Sequence, residues 1–351
     1  MNRQLLRILQ IQSESYNSKK MSDYVVARLQ SEGINVEKDV SGNIYATKGS
    51  ADIYPCVVSH IDTVHKIVPE ENYQVVESDG KAFAIDPVSM KFTGIGGDDK
   101  CGIYICIELM KRVKNLKAVF FVDEEVGCVG SSQADLSFFD NVGYIIQADR
   151  KGYADVVSTL CGVKVASDAF MQVIKPVMDS YIKEECKTGG LTDIHELKTS
   201  GVDVSAINLS CAYYNPHQDN EYIDLNQLTF TLEFAHEIIE LLGEVKYPQV
   251  AESRGYGYGY GYSSWDYDYP RYRYDGFGVG KKTPYVSKPV VEIDEDPTTC
   301  SECGSDDIYV NDGEDGFVYC HNCNNIEYNK KSEDYAAVKD NLQESRGYER
   351  R

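Results

Sequence analysis

Strands alternating with helices through residues 1–247 predict an α/β fold, a mostly parallel central sheet with helices on both faces. Three observations carry this reading. Nearly continuous apolar runs at 54–58, 118–122, 144–147 and 204–209 have the composition of strands buried on both faces. Helix-period segments separate them, and the first of these opens the chain. Metal-type ligands recur just past the apolar runs, where open α/β sheets place their sites.

In order, residues 2–32 carry apolar positions at helical spacing, with Leu5, Leu6 and Leu9 in one segment and Met21, Tyr24, Val25 and Leu29 in the next. Gly33 supplies the stop. Short β-rich runs follow at 34–40 and 44–47, and the first buried strand at 54–58. Between residues 61 and 97 there is room only for a hairpin, turning around Ser78-Asp79-Gly80. Residues 102–116 read as a helix, and the last helix spans 225–242.

Composition then changes. Residues 248–294 form a Gly/Tyr-rich, low-complexity linker, with eight tyrosines between Tyr256 and Tyr274 and no period that could bury one face. A self-association or partner-binding segment is the alternative reading of the same tract. Residues 295–330 form a small second unit and 331–351 a charged tail.

The chain has 351 residues, 42% hydrophobic and 26% charged, so it is long enough for one large domain and a smaller one. Its formal net charge of -21 repels phosphate backbones and anionic lipid, which argues against nucleic acid and membrane as partners. The early apolar stretch 5–11 is broken by Arg7 and Gln10, and no run of apolar residues is long enough to span a bilayer. Of eleven cysteines, seven (Cys56, Cys101, Cys106, Cys128, Cys161, Cys186 and Cys211) lie singly in apolar segments, as expected of reduced, buried thiols. The expected location is the cytoplasm.

Five segments carry the chemistry. His60-Ile61-Asp62-Thr63-Val64 follows the first buried strand, with His60 and Asp62 projecting the same way if that strand continues. A ligating imidazole needs its second nitrogen held, which a carboxylate two residues away can do. In Gly94-Ile95-Gly96-Gly97-Asp98-Asp99, two carboxylates open a helix as metal ligands or as plain caps. Asp123-Glu124-Glu125 follows a buried strand, where three like charges are costly unless solvated or bound to cations. Asp149 comes after the run 144–147, and His217 lies in Asn215-Pro216-His217-Gln218-Asp219-Asn220-Glu221. His65 and His236 read as an exposed loop residue and a helix-packing residue, and His195 as lying on a helix that approaches the site.

Taken in this order, HIDTV, GGDDKCG, DEEVG, the isolated Asp149 and PHQDNEYI resemble the motifs of the di-zinc metallopeptidases typified by peptidase T, aminoacylase and glutamate carboxypeptidase. The resemblance covers the whole first domain. It implies that His60 and Asp149 bind one Zn2+, Glu125 and His217 the other, and that Asp98 bridges the two, with Co2+ or Mn2+ as possible replacements. It also implies that Asp62 orients His60, that Glu124 is the general base toward a metal-activated water, and that the Asp98-Asp99 peptide is cis. The lid domain of these relatives has no room between Asp149 and His217, so specificity and oligomeric state do not carry over. An aspartate at position 149 tilts the reading to an aminopeptidase or di/tripeptidase; a deacylase or carboxypeptidase acting on an acyl-amino-acid is the alternative. Asp193, in Gly189-Gly190-Leu191-Thr192-Asp193, resembles a substrate-loop residue that could contact the substrate's amino group, and equally a helix cap.

In the second unit, Cys300-x2-Cys303 and Cys320-x2-Cys323, sixteen residues apart, have the spacing of a zinc ribbon holding one structural Zn2+. His321 reads as a bystander. Between the outer cysteines lie six acidic residues and no Lys or Arg, so a structural or protein-docking role fits better than nucleic acid. A non-catalytic scaffold working through the ribbon is the reading from another class.

Overall fold

A computed structural model describes residues 1–250 and, further on, the backbone of three short strands at 308–311, 317–320 and 326–328. Helices α1 (Arg3–Gln10) and α2 (Lys19–Ser31) open the chain; the Asn2 side chain accepts the Leu5 N–H and caps the first. Strands β1 (Asn35–Lys38), β2 (Ile44–Lys48) and β3 (Tyr54–His60) follow. The segment 61–97 holds β4 (Gln74–Ser78), β5 (Lys81–Asp86) and β6 (Lys91–Phe92). Asp79 and Gly80 make the expected hairpin turn, both with positive φ, 50° and 73°.

Next come α3 (Gly97–Arg112), β7 (Leu116–Phe121), α4 (Val129–Ser132) and β8 (Val142–Arg150). Between β8 and the last ligand segment lie β9 (Asp155–Val157), β10 (Thr159–Leu160), β11 (Val163–Lys164), α5 (Asp168–Ser180), β12 (Glu184–Cys186), α6 (Asp193–Thr199) and β13 (Ala206–Ser210). They take up the interval between Asp149 and His217 with core elements, as the missing lid requires. Strands β14 (Tyr213–Tyr214) and β15 (Tyr222–Asp224) lead into α7 (Leu225–Leu242), whose bounds match the sequence reading.

Several boundaries shift by a few residues, and two of the shifts bear on the site. The helix predicted at 102–116 begins at Gly97 and ends at Arg112, so Leu116 opens β7 instead. Strand β8 continues past Gln147 to include Asp149, because the Asn208 side chain in neighbouring β13 takes the Asp149 N–H on Oδ1 (2.9 Å) and donates from Nδ2 to the Asp149 carbonyl (2.8 Å).

The main sheet has the order β1-β2-β7-β3-β8-β13-β9-β12. Its centre, β7-β3-β8-β13, is parallel, as is the pair β9-β12. The pairs β1-β2, β2-β7 and β13-β9 are antiparallel, so the sheet is more mixed than the sequence suggests. The five residues between β1 and β2 are too few for the crossover that a parallel pair needs.

Alternate residues of each central strand feed two cores. Val57, Phe120 and Ile146 join α1, α2, α3, α5 and α7 on one face. Cys56, Val58, Phe121 and Ile145 pack with Ile194 and Leu197 of α6 on the other. Helices therefore cover both faces, unequally. A second sheet, β14-β15-β5-β4 with β6 beside β5, ties the 61–97 insertion to the loop that carries His217.

Among the single cysteines, five are buried as expected, while Cys161 is exposed and Cys186 half-buried. Farther along, β16 (Ile308–Asn311), β17 (Phe317–Cys320) and β18 (Ile326–Tyr328) form a three-stranded antiparallel sheet. Cys320 ends β17; Cys300, Cys303, Cys323 and His321 lie outside the described residues, as do the Gly/Tyr-rich linker and the tail. No helix among the described residues is long and apolar enough to cross a membrane.

Leu109, fully buried in α3 against the central strands, tests this packing. Leu109→Ala should cost about 2–5 kcal/mol, read as a lower urea midpoint at unchanged slope.

Candidate metal centre

Because β7, β3 and β8 are adjacent and parallel, their carboxyl ends bring three motifs to one edge. His60 is the last residue of β3, Glu124 and Glu125 follow β7, and Asp149 is next to last in β8. Asp98 lies in the first turn of α3, where it and Asp99 leave helical geometry and the peptide between them is cis. His217 reaches in from the β14–β15 loop at φ 64°.

All five expected ligands converge. His60 Nε2 lies 3.3 Å from Asp98 Oδ1 and 3.6 Å from Asp149 Oδ1. His217 Nε2 lies 3.3 Å from Asp98 Oδ2 and 3.1 Å from Glu125 Oε2. The two oxygens of Asp98 thus face two different ligand pairs. Glu124 Oε2 is 4.0 Å from His60 Nε2, and its Oε1 accepts the Cys128 thiol at 3.4 Å. Asp98, Glu124, Glu125, Asp149 and His217 line a cleft of about 160 Å³ together with Thr192 and Tyr213.

Asp62 does more than was expected, and does it differently. His60 Nδ1 sits nearer the Asp62 main-chain carbonyl (3.0 Å) than its carboxylate (3.4 Å). The fully buried carboxylate accepts the N–H groups of Glu124 (3.0 Å) and Glu125 (3.3 Å) and the Ser15 hydroxyl (2.7 Å). One side chain therefore holds both the imidazole strand end and the acidic loop.

Other residues support the centre from behind. Buried Glu221 accepts the N–H of Gly96 (2.8 Å) and of Asp98 (3.1 Å), and bonds His65 Nε2 at 2.9 Å. His65 is therefore not the exposed loop residue expected. Its side chain is 14% exposed and pressed so close to Gly94 that a Cβ there would meet the ring at 2.2 Å. Asp149 Oδ2 accepts Thr192 Oγ1 (2.8 Å) and Gln147 Nε2 (3.2 Å). Gln147 also donates to Asp193 Oδ2 at 3.3 Å. Asp193 is fully buried behind Asp149 as the first residue of α6, whose N-cap is Thr192, so it caps nothing, and Thr192 rather than Asp193 lines the cleft. His195 bonds Glu196 and His236 lies near Glu240 on α7. Glu221 lies within PHQDNEYI but had no role assigned to it from sequence, because that role depends on a partner 125 residues away.

Crowding of acids dominates the electrostatics. Burial, then repulsion from Asp98, pushes Glu125 up to about 7 and Asp149 up to about 6. Burial pushes Glu124 up to about 10 and Asp193 up to about 7. Hydrogen bonds to Asp98 and Glu125 push His217 up to about 11. Burial opposes charge on His60, yet hydrogen bonds to Asp149, Asp62 and Asp98 carry it well above the usual range. Asp98 is held well below its ordinary value, burial being outweighed by the two imidazoles. Protons thus supply the positive charge the cluster needs, a task that bound cations can take over.

The donor set fits divalent metal. His60, Asp98 and Glu125 bring ligand atoms within 4.8 Å of one another, and His60, Asp99 and Asp149 do the same. Nitrogen and carboxylate oxygen are donors that zinc accepts. Glu125 Oε1 and Asp193 Oδ1 are buried without a hydrogen-bond partner, which leaves acceptor capacity at the centre unspent. Asp99 fits a ligand role less well, since Ser59 Oγ, the His60 N–H and the Gly102 N–H already occupy its carboxylate.

No family model and no curated protein matches this chain in sequence. Solved structures do match in fold. The chain is similar to the aminopeptidase PepT from Bacillus cereus ATCC 10987, at 16% identity over 69% of this chain and 99% of that one, TM-score 0.58. A tripeptidase from Staphylococcus aureus matches at 15% identity over 69% and 99%, TM-score 0.56. An aminopeptidase from the archaeon Desulfurococcus kamchatkensis matches at 15% over 68% and 94%, TM-score 0.52. At these identities the likeness establishes a shared fold, the one the sequence motifs imply.

Two outcomes test the centre. Asp62→Asn should weaken zinc binding about 10–100-fold in a competitive chelator titration, because the acidic loop loses its charged anchor and His60 loses the carboxylate beside it while keeping its main-chain bond. The metal-free chain should lose stability as pH rises. His217 (6.5 to about 11) and Glu124 (4.5 to about 10) both bind protons more tightly when folded. The stability they contribute is complete below the unfolded values and gone above the folded ones. Thermal melts between pH 6.5 and 10 should therefore fall in chelator and flatten with added zinc.

Proposed function

We propose that this chain is a metal-dependent hydrolase that cleaves peptide bonds, acting as an aminopeptidase or di/tripeptidase. The observation that carries this reading is Asp98 turning one oxygen to His60 and Asp149 and the other to His217 and Glu125, with Glu124 4.0 Å from His60. In this reading His60 and Asp149 hold one Zn2+, Glu125 and His217 hold a second, and Asp98 serves both; Co2+ or Mn2+ would suit the same donors. A bound pair of such cations supplies Lewis acidity toward a carbonyl and toward water.

The chain's own residues do the rest. Glu124 accepts the proton of the attacking water and returns it to the leaving amine nitrogen as the C–N bond breaks. It must first be ionised, and dications beside it would lower a carboxyl that burial and neighbouring acids hold at about 10. Asp62 keeps Glu124 in reach through its main-chain N–H. A protease working from the amino end agrees with the fold's neighbours, two aminopeptidases and a tripeptidase. In the C-terminal unit, Cys300, Cys303, Cys320 and Cys323 would hold a structural Zn2+, leaving that unit or the Tyr-rich tract for a protein partner. The cytoplasm remains the proposed location.

Zinc-loaded protein should shorten peptides with free amino termini stepwise in mass spectra and leave acetylated ones intact. Glu124→Gln should lower the rate about 10²–10⁴-fold while metal content is unchanged. Attack on acetylated peptides or from the carboxyl end would assign a deacylase or carboxypeptidase. An unchanged rate in Glu124→Gln would remove Glu124 from the mechanism.

A further inference from the structure

A general base acts well only when one of its oxygens is held toward the proton it takes. For Glu124 that oxygen is Oε2, which lies 4.0 Å from His60 Nε2. The other oxygen, Oε1, accepts the Cys128 thiol at 3.4 Å, and among the described residues no other group donates to this carboxylate. The main chain decides where the thiol stands. The N–H groups of Gly127 (2.9 Å) and Cys128 (2.7 Å) both donate to the Glu124 carbonyl, and the Val129 N–H donates to the Asp123 carbonyl at 3.1 Å. Asn43 holds this turn at both ends, accepting the Val122 N–H at 3.2 Å and donating to the Gly130 carbonyl at 3.0 Å. Cys128 is thus fixed by bonds that do not involve the Glu124 side chain.

Its backbone is in the left-handed region, φ 55° and ψ 40°. A residue with a Cβ is strained there, whereas glycine adopts it freely. The chain nevertheless carries a side chain at this position, fully buried, and its thiol meets the Glu124 carboxylate. Burial, then repulsion from Glu124, holds the thiol well above its ordinary value, so it keeps its proton and donates.

We propose that Cys128 is a positioning residue for the general base, its S–H holding Oε1 so that Oε2 is left facing the centre. The inference rests on the hydrolase reading above and adds the group that fixes its base. Through the reaction the thiol retains its own proton. Oε2 takes the proton of water as the new C–O bond forms and passes it to the amine nitrogen as the C–N bond breaks, while Oε1 goes on accepting the S–H.

The test uses the full-length zinc-loaded chain and the tripeptide Leu-Gly-Gly. Cys128→Ala should lower kcat about three- to tenfold, the range of a single hydrogen bond, with KM and zinc content unchanged. Cys128→Ser puts a hydroxyl donor in the same place and should recover most of that loss. Cys128→Gly relieves the backbone and should still lose as much as the alanine variant. In a Glu124→Gln background, Cys128→Ala should lower the residual rate no further, because there is no base left to position; a packing role would lower both rates alike. The contact is also read without turnover. The Raman S–H band of Cys128, isolated as the difference between wild type and Cys128→Ser, should move to higher frequency in Glu124→Gln, whose amide is the weaker acceptor. An unchanged kcat in Cys128→Ala, a loss that repeats in the Glu124→Gln background, or a serine variant no better than alanine would each overturn the inference and leave the hydrolase reading standing. If the wild-type chain cleaves no peptide, the hydrolase reading falls, and an S–H band that ignores Glu124→Gln removes the contact as well.

Discussion

The mutual repulsion of buried carboxylates is the constraint around which this molecule is organised. Asp98, Glu124, Glu125 and Asp149 converge from separate segments with side chains 6–12% exposed. Burial and like charge both disfavour the ionised forms, and the outcome is divided unevenly. Asp98, between two imidazoles, keeps its charge, while Glu124, Glu125 and Asp149 are raised. An arrangement so unfavourable for isolated acids is one in which divalent cations gain most.

Holding these acids together requires an outer framework, and most of it is main chain. Asp62 collects two N–H groups of the Glu124 loop, and Glu221 collects two from the loop that opens α3. Asn208 clamps the peptide of Asp149 from the neighbouring strand. Main-chain bonds to a carboxylate, as at Asp62 and Glu221, are charge-assisted and about twice as strong as neutral ones, and Asn208 adds neutral bonds to the same framework. The second sheet extends the same principle, because pairing β15 with β5 anchors the His217 and Glu221 loop to the insertion after His60.

The acids and histidines that converge were legible because each sits beside a recognisable strand or glycine-rich turn, and their order along the chain is itself informative. The hairpin at Asp79-Gly80 and the bounds of α7 were legible for local reasons, turn chemistry and helical period. What was missed is non-local. His65 looked like a loop residue because nothing near it in sequence names Glu221 as its partner. The length of β8 depends on an asparagine side chain 59 residues away. The antiparallel edges of the sheet follow from connection lengths and pairing choices that apolar runs do not encode.

By itself the sequence determined the alternating strand-helix plan, the identity and order of the acids and histidines, and the spacing of the four C-terminal cysteines, since periodicity and spacing are properties of neighbours in the chain. Only the tertiary structure decided which oxygen of Asp98 faces which histidine, and that Asp62 serves the acidic loop as well as His60. Those facts depend on strand order and register, which bring together side chains far apart in the chain.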